Sequence, residues 1–180
     1  MTKLVNKLAN LKVMFTFFGA FLVLVVLANT LFKQNFTFLT QTINYSADQA
    51  YNLLDTIGKN GRTSHLLIFI ADFVMVMLYS CFLIGANYYT FSSWVKNCAA
   101  ISIITFFPVI LALIQLGEIL FLTIIITNYQ TRLEPAVHLT NSLTIIKYYL
   151  TPICFLLPIA GLCGKIKVLI LQKRMNKSEP

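Results

Sequence analysis

The sequence predicts an all-α integral membrane protein, a four-helix bundle with a short amphipathic helix in the first extracytoplasmic loop. Three observations carry this. The chain is 58% hydrophobic and only 11% charged, with a mean hydropathy of +0.77, a composition foreign to soluble domains. Its apolar residues gather in four runs near the ~20 residues that cross a ~30 Å hydrocarbon core. The net charge of +8 lies mostly at the two ends, beside apolar segments. That is the pattern of cytoplasmic flanks facing anionic headgroups, and it argues against nucleic acid as a partner. Between the spans too little sequence remains for a separate soluble domain, so residues 1–180 read as one transmembrane domain.

The first element follows a basic start in which Lys3, Lys7 and Lys12 recur at near-helical intervals. The apolar run 13–32 is then long enough to span. A signal peptide is the competing reading, since Val26-Leu27-Ala28 could end in a cleavage site, but its apolar region would be only ~7–15 residues. A retained helix is the better fit. The polar stretch after it opens with KQNFTFLTQTIN, aromatic and β-branched without a clean period, and reads as extended or interfacial. Ser46-Ala47-Asp48-Gln49 is then a capping-box pattern, with Asp48 suited to the positive end of a helix dipole. Ala47, Ala50, Tyr51, Leu54 and Ile57 share one face, and Gly58 supplies a stop. An amphipathic loop helix is expected at about 47–57, followed by a turn at Asn60-Gly61.

The second span is expected at about 65–86, and the loop 87–97 carries Tyr88, Tyr89 and Trp94 as headgroup-level aromatics. The third run, 98–127, is longer than a perpendicular crossing needs, so it should tilt, kink at Pro108 or project. A second polar loop, 128–144, holds Arg132, Glu134 and His138, with Pro135 expected to break any helix. The last span, about 146–164, contains Pro152 and Pro158, tolerable where neighbours satisfy the freed carbonyls. A basic tail, 165–180, follows and should fray.

With four spans and the amino terminus inside, Lys3, Lys7, Lys12, Lys96, Lys165, Lys167, Lys173, Arg174 and Lys177 share one side. Lys33, Lys59, Arg62, Arg132 and Lys147 share the other. Nine against five puts both termini in the cytoplasm and points to a plasma (inner) membrane. Cys81, Cys98, Cys154 and Cys163 lie in or at the ends of apolar runs without CxxC spacing, so they read as packing residues. Asn35-Phe36-Thr37 and Asn44-Tyr45-Ser46 match the glycosylation triplet, which is frequent by chance.

The stretch Tyr45-Ser46, Ala50-Tyr51-Asn52-Leu53-Leu54-Asp55, Ile57-Gly58 and Gly61-Arg62, leading into a span with Asp72 and Tyr79, resembles a pattern in poorly characterised small four-span integral membrane proteins. The resemblance covers about a fifth of the chain. It implies four helices with an outer-loop helix and brings no activity with it.

Chemistry is expected where polar residues interrupt the apolar runs. Asp72 and Glu118 lie about 10 Å and about 14 Å from the outer ends of their antiparallel spans, hence at similar depth. A charge there costs on the order of 2.5–3.5 kcal/mol, so both acids should face the bundle interior. His65, Asp72 and Tyr79 recur by sevens on one helix face. Gln115 and Glu118 are neighbours at i,i+3. Lys147, Thr151 and Cys154 or Phe155 continue a stripe with Tyr148 beside it. With Arg62, Arg132 and His138 above, these residues predict a polar pocket opening outwards beneath the loop helix.

Four readings of that pocket compete. The acids pair with Arg62, Arg132, Lys147 or a tyrosine and merely pin helix register. They bind a lipid, a small ligand or a protein partner. They handle protons or ions in a carrier or a homo-oligomer. Or they divide acid and base roles in an intramembrane enzyme. Neither HExxH nor GxSxG occurs and both histidines lie at interfaces, so no metal and no cofactor is expected. A non-enzymatic binding protein of the bilayer is the preferred reading.

Overall fold

The computed structural model describes residues 3–31 and 44–175. They form α1 (Lys3–Leu8), α2 (Leu11–Leu31), α3 (Ala47–Thr56), α4 (Gly58–Phe91), α5 (Cys98–Thr127) and α6 (Glu134–Met175), with no strand among them. Helices α2, α4, α5 and α6 are long and apolar enough to cross a membrane, which makes this an all-α four-helix membrane bundle. The segment 33–43, with its Asn35 triplet, and the last residues of the tail lie outside the described residues.

Two helices run well past the expected spans. Helix α4 has 34 residues and α6 has 42, about 51 Å and 63 Å at 1.5 Å per residue. Gly58, at φ +63°, makes the bend between α3 and α4, a conformation glycine adopts freely. The chain has therefore already turned before Asn60-Gly61. No turn forms there, and the Gly61 amide donates to the Ile57 carbonyl at 3.2 Å inside the new helix. Pro135 likewise does not break a helix. It is the second residue of α6, where the amide it lacks would have had no acceptor in the helix. At the other end α6 stays helical through the basic segment 165–175.

Each bend is satisfied by an identifiable group. The α3 capping box forms in full, with the Gln49 amide donating to Ser46 Oγ and the Ser46 amide donating to Gln49 Oε1. Asn97 Oδ1 accepts from the amides of Ala99 and Ala100 to start α5. Pro108 frees the carbonyl four residues earlier, and the buried Asn87 of α4 donates its Nδ2 to that Ile104 carbonyl at 3.0 Å. Trp94 Nε1 donates to the Gly161 carbonyl at 3.1 Å. A Cβ at Gly161 would fall 2.6 Å from the Phe91 ring, so glycine is what lets α6 approach the end of α4.

Helices α4, α5 and α6 pack mutually, while α2 leans chiefly on α4 and α1 folds against α4 with Val5 buried. One core cluster joins Val76, Tyr79 and Leu83 of α4 to Leu111 and Ala112 of α5 and Cys154 of α6. Phe18 stacks on Phe82, and Phe21 meets Tyr79 edge-on, holding α2 in place. A second cluster sets the apolar face of α3 (Ala47, Ala50, Tyr51, Leu54) on Phe69, Leu122, Ile125 and Val137. The exterior is apolar too, with Ile70, Ile103, Leu113 and Leu156 exposed. Lipid is as apolar as these side chains, so close packing and polar contacts, rather than escape from water, hold such helices together.

Candidate functional site

The bundle centre is organised around one ion pair. Glu118 of α5 is almost wholly buried, and Lys147 of α6 donates to both its oxygens, at 2.6 and 2.9 Å. Thr144, one turn from Lys147 on the same face, donates its Oγ1 to Glu118 Oε1 at 2.6 Å. Every charge removed from solvent here has an opposite charge and a hydrogen bond, the condition under which burial is tolerated. Asp72 of α4 lies within electrostatic reach of both Lys147 and Glu118. It is partly exposed, so two carboxyls flank one ammonium.

Asp72 opens onto a cavity of about 440 Å³. Phe21 and Val25 of α2 line one side, Asp72, Met75 and Tyr79 come from α4, and Leu111 and Gln115 from α5. Helix α6 contributes Lys147, Tyr148, Thr151, Pro152 and Phe155. Tyr79 donates its hydroxyl to Gln115 Oε1 at 2.6 Å, and Thr151 returns its own to the Lys147 carbonyl at 2.7 Å. The chamber is mostly apolar with a few fixed polar groups, as small-molecule sites are.

The structure thus divides the residues singled out from sequence. Asp72, Tyr79, Gln115, Lys147 and Thr151 line the cavity, and Glu118 stands behind Lys147. His65 is buried but does not line it; its ring meets Phe69 edge-on. Arg62 donates to the Leu54 carbonyl at 2.8 Å and lies 3.8 Å over the Tyr129 ring. Arg132 is exposed and pairs with Asp48 and Glu134, and the hydrogen bond with Asp48 raises its already high pKa. His138 is exposed on α6. No residue of α3 lines the cavity, so this helix caps the bundle end instead of lidding the chamber. Among the described residues no three His, Cys, Asp or Glu side chains gather as metal ligands do.

Three contributors escaped the sequence reading. Thr144 is the Glu118 partner; its spacing from Lys147 was the available signal. Tyr45, 4% exposed, brings its hydroxyl beside Thr144 without a well-formed hydrogen bond among the described residues. Burial pushes that phenol up to about 12, the Thr144 side chain opposes the shift, and the Glu118 charge adds to it. Asn87 had no signal beyond being an asparagine near a helix end. Comparison with known proteins yields no matching family model, no matching curated protein and no matching solved structure.

Proposed function

We propose that this is a non-enzymatic multi-pass membrane protein that holds a lipid or small amphipathic ligand in the cavity between α2, α4, α5 and α6. Asp72 carries the reading. It is a carboxyl inside an apolar chamber, while Lys147, the one ammonium within its electrostatic reach among the described residues, is already engaged by Glu118. A ligand bearing an ammonium or a hydroxyl would complete it, with its apolar body against Phe21, Val25, Leu111 and Phe155. The excess of Lys and Arg at the termini supports both ends facing the cytoplasm of a plasma membrane, with α3 outside.

Native mass spectrometry of the protein released from mild detergent tests this. Wild type should retain a bound species that Asp72→Asn loses while keeping its expression and thermal midpoint. An Asp72→Asn protein with unchanged adducts and lost expression would instead assign the acid to helix register.

The pairing of two carboxyls with one ammonium favours a second reading, a proton- or ion-coupled carrier. Buried carboxyls that exchange partners are how membrane proteins move protons. Proteoliposomes with an entrapped pH dye separate the two readings: a proton-coupled carrier shifts the lumenal pH when an inward substrate gradient is applied, down for symport and up for antiport, and Asp72→Asn stops the shift.

A further inference from the structure

A second site lies on the opposite side of α4 from α2, along the α4–α5 seam. Near the start of α4 a polar groove of about 510 Å³ is lined by Lys59 and Arg62 with Asn128, Tyr129 and Gln130. Among the described residues no carboxylate lines it. Lys59 is exposed and makes no ion pair among the described residues. Arg62 spends one N–H on the Leu54 carbonyl, and a guanidinium has five. Both cations are therefore available to an anion.

This polar groove continues into an apolar one of about 460 Å³, lined by Leu66, Ile70 and Phe73 of α4 and Ile119 and Thr123 of α5. Thr127 lines both. Positions 59, 62, 66, 70 and 73 step by three and four, and 119, 123 and 127 step by four, so each helix presents one continuous stripe. From Arg62 to Phe73 is about 16 Å along the helix, roughly one leaflet of a ~30 Å core.

We propose that this seam is a binding site for one anionic phospholipid of the leaflet on the α3 side. Its phosphate sits between Lys59 and Arg62, and an acyl chain follows the groove to Phe73. Charge complementarity and the one-leaflet length select this occupant. A zwitterionic lipid brings a cation to a groove with no acid to receive it, and a free phosphate leaves the apolar half unused. The site shares no lining residue with the Asp72 cavity, so it stands or falls separately.

The test titrates the detergent-solubilised protein with dioleoyl phosphatidylglycerol, dioleoyl phosphatidylcholine or inorganic phosphate, reading binding by native mass spectrometry and folding by thermal midpoint. Phosphatidylglycerol should bind tighter than phosphatidylcholine by about fivefold for each cation engaged. Lys59→Glu should erase that preference, and Lys59→Gln, the fallback should the charge reversal not fold, should cut it about fivefold because Arg62 remains. Thr123→Phe, which fills the apolar groove, should weaken both lipids, and Lys167→Glu at the far end of α6 should change nothing. Equal binding of the two lipids overturns the proposal. So does a preference that survives at Lys59 but falls with Lys167→Glu, or phosphate competing fully while Thr123→Phe has no effect.

Discussion

The middle of the bundle and the cap at its α3 end use the same kinds of side chain to opposite effect. At the centre Glu118 is almost wholly buried and pairs with Lys147, which reaches the cavity, with Asp72 close by. At the cap Arg132 pairs with Asp48 and Glu134 in the open. The central pair has little solvent to fall back on, so losing Lys147 strands the Glu118 charge. The cap pairs are screened, and losing one returns two side chains to water. A charge matters in this protein by its surroundings more than by its partner.

The largest expected effect therefore comes from Lys147→Met. It leaves the Glu118 carboxylate buried without a counter-ion and should cost about 3–5 kcal/mol, read as a lowered unfolding midpoint in micelles. Adding Glu118→Gln to the same protein should recover most of that loss, because it removes the stranded charge. A double variant no better than the single would break the comparison, since it would mean that packing around Lys147, not charge, carries the cost.

Next in size is a neutral contact of the interior. Asn87→Leu removes the donor that serves the Ile104 carbonyl, and an unsatisfied buried acceptor costs about 1–3 kcal/mol. In a Pro108→Ala background the helix can satisfy that carbonyl from its own backbone amide. Asn87→Leu should then cost distinctly less, as a double-mutant cycle on thermal midpoints would show. Equal costs in the two backgrounds would detach Asn87 from the proline.

How much of this was legible beforehand follows from the same contrast. Hydropathy marks what lies in lipid, and it placed α5 at residues 98–127, while the capping box, the shared face and Gly58 placed α3 within a residue of its end. It is silent on helices continuing into water, which is why α4 and α6 outran their spans and Pro135 read as a breaker. Helical period put Asp72 with Tyr79, and Lys147 with Thr151, on common faces. It does not give the rotation of one helix against another. Sequence therefore left Arg62, Arg132, Lys147 and the tyrosines as equal candidates for the acids, and only packing singles out Lys147 for Glu118. The same gap concealed Thr144, Tyr45 and Asn87, each of which acts across a helix boundary.

The smallest effects belong to the cap, and there the comparison can be sharpened within a few ångströms. Arg132→Gln removes both exposed ion pairs with Asp48 and Glu134. It should leave the thermal midpoint within error of wild type, any shift vanishing as salt is raised towards 1 M, where charges separated by more than ~3 Å are screened. Beside it, Tyr51 is uncharged but buried, accepting from the Leu133 amide at 2.7 Å. Tyr51→Phe strips that amide of its acceptor at the point where the loop enters α6, and should cost about 0.5–1.5 kcal/mol at any salt. A neutral hydroxyl is thus expected to outweigh a charged guanidinium one contact away. Should Arg132→Gln prove the costlier at high salt, the cap would be held by its ion pairs after all, and burial would lose its place as what decides the worth of a polar contact here.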